Sequence, residues 1–223
     1  MSRAYPGGVD RDLQALREEY ARGGLDETDL PPAPEELFRR WLDEAFAADL
    51  VEPQAVVVST VAPDGRPSSR TVLLKGLDER GFVFYTNQAS RKGQELATNP
   101  RTALLFPWHP LERQVRVEGV ATVLPREEVD AYFASRPRGS RLGAHASPQS
   151  RVVAGRAALE EAYAAADAAY PDDVPTPAQW GGYVVTPEVV EFWQGRPSRL
   201  HDRLVYRRDD AAPSGWTTYR LAP

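Results

Sequence analysis

The residues best equipped for chemistry lie in FWQGRPSRLHDRLVYRR, residues 192–208. Read with the two-residue period of a strand, Arg199, His201 and Arg203 share one face, and Leu200, Asp202 and Leu204 the other. Two guanidiniums supply fixed positive charge, the imidazole titrates near neutrality, and Trp193 offers a flat apolar surface for an aromatic ligand. For an isolated Arg-x-His-x-Arg a solvated strand face is the better account. The choice turns on whether other segments supply matching groups.

Two other segments do. In YTNQASRK a strand gives way to a helix opened by Ser90, Arg91 and Lys92, so free backbone N–H groups, the helix dipole and two cations point to a phosphate seat. An ordinary serine cap with exposed basic residues is the alternative. In AYFASRPRGS, Tyr132 and Arg136 are four apart on one helix face, and Ser140 follows the breaks at Pro137 and Gly139. Converging, they hold a second phosphate, the arginine in bidentate fashion; a core tyrosine beside a solvated arginine is the plainer account. In RTVLLK, Arg70 and Lys75 have opposite strand parity and are expected to face opposite ways unless a bulge intervenes. Gln114 is the polar candidate in FPWHPLERQV, and His145 is read as structural.

The charge distribution supports focused anion sites. The chain of 223 residues has formal charge -5 and pI near 5.4. Residues 1–50 hold twelve acids against six arginines; residues 66–92 hold six cations against two acids. Residues 132–156 carry five arginines and no acid, and 196–208 five arginines and one aspartate. Separate basic clusters in an acidic chain argue against a nucleic-acid surface. There is no cysteine, and His109, His145 and His201 lie far apart, so neither a thiolate nucleophile nor a metal site is expected. No serine–histidine–aspartate set, paired carboxylates or Gly-x-Gly-x-x-Gly stands out, so such a site needs a cofactor to carry the hard chemistry. No apolar run reaches membrane-spanning length and the start lacks a secretory apolar region; a cytoplasmic location without membrane contact is expected.

The elements that must position these groups are mostly strands. Residues 1–33 are expected to form a flexible arm with a helical stretch around DLQALREEY. A helix follows in PEELFRRWLDEAFAADL with Leu37, Trp41, Ala45 and Phe46 on one stripe. AVVVSTVA, RTVLLKGL, GFVFYTN, TALLFPW and RQVRVEGVATVL read as short strands between turn signals, suiting an antiparallel barrel. Helices are expected from Ser90 to Asn99, in PREEVDAYFASRP, and as one alanine-rich rod from about Ser147 to Tyr170. Strands resume at GGYVVTPEVVEFWQ, RLHDRLVYRR and WTTYRLAP.

RTVLLK, FYTNQASRK, NPRTALLFPWHPLERQVRVEG, YFASRPRGSRLGA, SPQS, WGGY, EFWQG, RLHDR and RLAP, in this order, resemble the pyridoxine/pyridoxamine 5′-phosphate oxidase family from about Leu16 to Pro223. The resemblance implies an α+β, mainly β fold, an FMN-binding split β-barrel with flanking helices over residues 34–223. It also implies a homodimer that oxidises pyridoxamine or pyridoxine 5′-phosphate to pyridoxal 5′-phosphate with O2 as acceptor and H2O2 as product. FMN contacts carried over are Arg70, Thr71, Val72, Leu73, Leu74, Lys75, Tyr85, Thr86, Arg91, Lys92, Gln114, Gln149, Ser150, Trp193 and Arg203. The vitamin phosphate falls to Lys75, Tyr132, Arg136 and Ser140, and its ring to Arg199, Leu200 and His201, with Arg199 and His201 placed at the chemistry. Arg17 and Tyr20 match an arm element that folds over substrate. His145 stands where the family often has tryptophan, and Pro197 enters the approach to the Arg/His pair. A related split-barrel flavin or deazaflavin enzyme acting on another ring, or a non-catalytic flavin or pyridoxal phosphate binder, are the other readings.

Overall fold

The computed structural model describes residues 20, 21 and 23–223. The stretch DLQALREEY, apart from Tyr20, and Arg17 lie outside them. The first helix, α1 (Pro34–Ala47), starts at a proline whose missing N–H costs nothing there, followed by Glu35 and Glu36 at the positive end of the dipole. Its Leu37, Phe38, Trp41 and Ala45 are buried. Phe46, expected on the same stripe, is half exposed; at 3.6 residues per turn the buried stripe passes through Phe38 instead.

Strands β1 (Ala55–Val61), β2 (Pro67–Leu73), β3 (Gly76–Asp78) and β4 (Gly81–Asn87) precede helix α2 (Arg91–Thr98). Then come β5 (Arg101–Trp108), β6 (Arg113–Val123), α3 (Arg126–Ser135), α4 (Arg138–Ala146) and α5 (Arg156–Ala169). The chain ends with β7 (Trp180–Gln194), β8 (Asp202–Arg208) and β9 (Trp216–Arg220). All strand pairs are antiparallel, in the order β2-β1-β5-β6-β7-β4-β3, with β8 on β7 and β9 on β8.

The long strand β7 splits the sheet. One edge pairs with β6 over Tyr183–Gln194; the other pairs with β4 over Trp180–Val185 and with β8 over Val189–Gln194. At the changeover the β6 register slips between Glu118 and Gly119, opposite Pro187. A bulge bends a strand and frees a position for proline. Gly119 is needed there because a Cβ would lie 2.2 Å from the Thr186 carbonyl oxygen. The core fills the curled sheet: Phe38 packs edge-on against Phe82 and Phe106 at 5.0 and 4.8 Å, and Trp41 against Phe192 at 5.2 Å.

Several sequence expectations give way to local geometry. The rod expected over 147–170 is two helices, α4 and α5, separated by residues 147–155. Pro148 disfavours helical backbone at Ser147, Ser150 is left-handed at φ 72°, and Gly155 precedes the restart. Gly139 lies inside α4 rather than breaking the chain. Arg199 and His201 are not on a strand: Pro197–Arg199 form a 3-10 turn with φ of 58° at Ser198 and 62° at Arg199, and β8 starts only at Asp202. Leu200 consequently points to solvent instead of sharing a buried face with Leu204.

Residues 23–33 are fastened to the body. Leu25 is buried, its N–H donates to Asp202, Arg220 grips Glu27 at 2.8 Å, and Tyr206 donates to the Pro31 carbonyl. The described residues contain no helix long and apolar enough to cross a membrane and no cluster of metal-ligating side chains.

Substituting Gly119→Ala tests the bend. Overpacking against the Thr186 carbonyl is expected to cost about 1–3 kcal/mol, lowering the thermal midpoint by several degrees. Gly143→Ala, whose added methyl meets nothing within 4 Å inside α4, is expected to be neutral or stabilising by up to about 1 kcal/mol. Equal midpoints for the two variants in calorimetry would remove the bend from this account.

Candidate active site

A cavity of about 600 Å³ opens between β2, the start of α2 and the end of α3. It is lined by Arg70–Leu73 and Lys75 from the β2 edge, and by Tyr85 and Thr86 from β4. Arg91 and Lys92 come from α2, Tyr132 and Arg136 from α3 and its end, and Gln149 and Ser150 from the following loop. Among the described residues its lining therefore holds five cations and no carboxylate. Arg70 and Lys75 reach the same cavity despite their opposite parity because β2 ends at Leu73. Leu74 then turns into the core, and the Lys75 N–H bonds the Val83 carbonyl at 2.8 Å. Leu74, expected at the cofactor, does not line the cavity.

The helix start forms as expected. Ser90 caps α2, its hydroxyl accepting from the Gly93 N–H. Gly93 cannot be larger, since a Cβ would sit 2.1 Å from the Gln88 carbonyl oxygen. Lys92 is buried, and its ammonium donates to Thr86 at 2.9 Å, Gln149 at 3.2 Å and Ser90 at 3.3 Å. All three acceptors are neutral. Burial, with the Arg70 charge adding to it, pushes the lysine pKa down to about 8.

Behind this wall sits Glu95, which the sequence reading missed. It is buried and accepts from Thr60 at 2.5 Å, Ser68 at 2.7 Å, Arg91 Nε at 2.8 Å and Arg70 at 3.4 Å. Burial raises its pKa, but the hydrogen bonds from Thr60, Ser68 and Arg91 outweigh that and bring it to about 2.

The opposite wall is aromatic. Tyr85 and Tyr132 stack with centroids 3.8 Å apart, and burial raises both phenol pKa values. The Arg136 guanidinium lies 4.1 Å over the Trp180 ring and 5.3 Å from Phe133. Its buried Nη1 has no hydrogen-bond partner. Trp180, another residue the sequence reading left unassigned, belongs to the WGGY stretch and lines the cavity. Ser140 is not in this cavity but in an adjoining hollow of about 290 Å³ that shares Arg136, Gln149 and Trp180 with it.

The remaining expected residues assemble elsewhere. Gln114, Trp193 and Arg203 stand directly opposite one another across β6, β7 and β8, so they share a face. Glu191, two residues along, is buried and holds Arg203 at 2.7 and 3.1 Å and Arg116 at 2.9 Å. His201 packs 4.6 Å from Trp193, and Tyr20 meets both rings edge-on at 5.8 and 5.7 Å. The His201 Nδ1 accepts from the Arg196 N–H at 3.1 Å, which leaves Nε2 as the donor of the neutral ring. Arg199 is exposed. None of these residues lines the cationic cavity. Tyr85 faces Gly182 on β7 and Trp193 lies eleven residues further on, about 36 Å of strand at ~3.3 Å per residue. Within one chain the two groups therefore lie toward opposite ends of β7, on separate surfaces.

Residues 42–168 match the family model described as pyridoxamine 5′-phosphate oxidase, and residues 180–223 that of the pyridoxine 5′-phosphate oxidase C-terminal dimerisation region. A pyridoxine/pyridoxamine 5′-phosphate oxidase of a Nocardioides species is 68% identical over 212 residues, covering 95% of this chain and 98% of its own. One from Burkholderia multivorans is 59% identical, covering 95% and 99%. Among solved structures, PhzG from Burkholderia lata in complex with tetrahydrophenazine-1-carboxylic acid superposes with TM-score 0.82 at 35% identity, over 88% of this chain and 95% of that one. A pyridoxamine 5′-phosphate oxidase-related, FMN binding protein from Nostoc punctiforme shares the fold at TM-score 0.69 and 20% identity, over 87% and 100%. The chain belongs to the pyridoxine/pyridoxamine 5′-phosphate oxidase family and has its split β-barrel fold.

Proposed function

We propose that the protein is an FMN-dependent oxidase of pyridoxamine 5′-phosphate and pyridoxine 5′-phosphate, working as a homodimer with two sites between subunits. The cavity with five cations and no carboxylate carries this reading, for it suits two phosphate dianions and little else of its size. Arg70, Arg91 and Lys92, with Thr86, Gln149 and Ser150, would hold the FMN phosphate at the start of α2. Lys75, Tyr132 and Arg136, with Ser140 from the adjoining hollow, would hold the vitamin phosphate. Bound there, FMN would take a hydride from the 4′ carbon of the vitamin and pass the electrons to O2, giving H2O2.

The homodimer supplies what one chain separates. A second copy would bring its Gln114, Trp193, Arg199, His201 and Arg203 over the cavity of the first, and a two-fold axis makes the exchange reciprocal. The matched dimerisation region contains β7, whose two ends carry Trp180 and Trp193. His201, with Nε2 as donor, would orient the vitamin ring and Trp193 would pack on the flavin. Holding the reacting carbon at ~3–3.5 Å from its acceptor is the main contribution required of the protein. The hydride leaves with its electron pair, so no nucleophile is needed.

The likeness to PhzG favours a second reading, oxidation of a tricyclic carboxylic acid. A substrate with one carboxylate has less use for Lys75, Tyr132 and Arg136 together.

Oxygen uptake by the flavin-loaded protein is expected with both phosphorylated vitamers, with ammonia released from the amine only. Uptake with a phenazine precursor and neither vitamer would establish the second reading. Arg199→Ala and His201→Ala are expected to slow turnover by at least about tenfold with FMN still bound. Arg136→Leu and Arg199→Ala chains, each nearly inactive alone, are expected to recover about a quarter of wild-type activity when co-refolded, because half the dimers are mixed and each mixed dimer keeps one intact site. No recovery would place both residues in a site built from one chain.

A further inference from the structure

Cations crowded into one cavity repel one another, and long side chains must be restrained to present their donors in one direction. The hydrogen bonds of the anion seat show how this is done. Arg70 spends Nη1 on the Val58 carbonyl and the Thr60 hydroxyl, and Nη2 on Ser68 and Glu95, leaving Nε uncommitted. Arg91 is the reverse: its Nε is taken by Glu95 at 2.8 Å and its exposed terminal nitrogens remain for a ligand. Glu95 itself is not part of the cavity lining. Its carboxylate ties β1, β2 and α2 together through Thr60, Ser68, Arg70 and Arg91.

We propose that Glu95 is the positioning residue of the phosphate seat: from behind the wall it aims Arg91 at the ligand, anchors Arg70, and supplies the negative charge that lets these cations stand beside Lys92. The inference rests on the reading that the seat takes the FMN phosphate. The charged and titratable groups that line the cavity with Lys92 are Arg70 from β2, Lys75 beyond it, Tyr85 from β4, Arg91 from α2, Tyr132 from α3 and Arg136 just past it, with Glu95 of α2 behind them. Glu95 is the one carboxylate among them. Removing its charge leaves Arg70 and Arg91 uncompensated next to an ammonium that burial already disfavours.

The sign of the pH effect follows. Lys92 is charged below about 8 and neutral above it, so affinity for a dianion falls as pH rises through that value. A phosphate monoester gains its second charge near pH ~6, so affinity is greatest between the two.

The chain has only two lysines, Lys75 and Lys92, which makes the test direct. NMR titration of 13C-lysine-labelled, flavin-free protein is expected to give Lys92 a midpoint near 8. In Glu95→Gln it should fall, because Arg70, whose charge already lowers it, loses the carboxylate that partly offsets that charge. FMN is expected to bind Glu95→Gln about tenfold more weakly at pH 7.5, while riboflavin, which lacks the phosphate, binds both proteins alike. Glu95→Asp keeps the charge but not the reach, so its Lys92 midpoint stays near 8 while the preference for FMN over riboflavin falls severalfold. Should Glu95→Gln not fold, the aspartate variant decides, and wild-type preference in it overturns the proposal. An unmoved Lys92 midpoint in Glu95→Gln, or equal losses for FMN and riboflavin, also overturns it. Wild-type protein that prefers FMN no more than riboflavin defeats the FMN reading instead, and the lysine titration then still judges the role of Glu95 in setting charge.

Discussion

Phosphate dianions leave water only for a site that returns most of their hydration as charge-assisted hydrogen bonds. In the proposed function that constraint governs the cavity. Cations must be gathered in a chain that is acidic overall, kept clear of the carboxylates that would neutralise them, and fixed in direction before a ligand arrives. The barrel supplies rigidity: the strands bearing Arg70, Tyr85 and Thr86 are paired into one continuous sheet, and α2 starts on the last residues of the β4 hairpin. Where cations do meet carboxylates, at Glu95 and Glu191, the acid stands on the side away from the ligand space or fastens one edge of the guanidinium.

The bend in β7 answers a second requirement. A flat strand of that length would place Trp180 and Trp193 on one sheet without dividing it. The bulge opposite Gly119 lets β7 exchange β4 for β8 as its neighbour, so one strand serves two surfaces. One surface is cationic and concave; the other, with Gln114, Trp193 and His201, is aromatic. Bringing two copies together then joins unlike halves, a reason for a dimer that does not depend on the area it buries.

Much of this was legible in the residues. The Ser90 cap, the Arg91–Lys92 pair and the Asn99-Pro100 stop are local signals, and the structure repeats them because no distant contact competes. Tyr132 and Arg136 do line one cavity, but not on one helix face as expected, since Arg136 lies just past α3 in extended backbone. What the sequence hid was tertiary or backbone in origin. Glu95 reads as one more polar residue in an exposed-looking helix; only the packing of α2 on β1 and β2 turns it inward. Trp180 shows a strand tryptophan but not the guanidinium resting on it. The strand parity of Arg199 and His201 failed because Pro197 opens a turn with left-handed residues, information that alternation of residue types does not contain. Pro148 and Gly155 are the local signals that end one helix and precede the next, where the alanine-rich composition alone suggests a single rod.

Two devices for holding an arginine divide the cavity by task. Arg91 is held by a carboxylate, which fixes its direction but cancels part of its charge. Arg136 is held by Trp180 and Phe133, whose ring faces restrain the guanidinium and leave its charge and a buried Nη1 unspent. A carboxylate-held cation loses less by having no ligand, which in the proposed function suits a cofactor that stays. A ring-held cation with an unmet donor gains more from each arriving anion, which suits a molecule that must be captured and released in every cycle. Burial lowers the pKa of Arg136, and a guanidinium stays protonated in proteins, so its charge is constant. Lys92, whose pKa burial brings down to about 8, loses its charge at mildly alkaline pH. The charge at the start of α2 thereby depends on pH, while the Arg136 guanidinium keeps its charge across the same range.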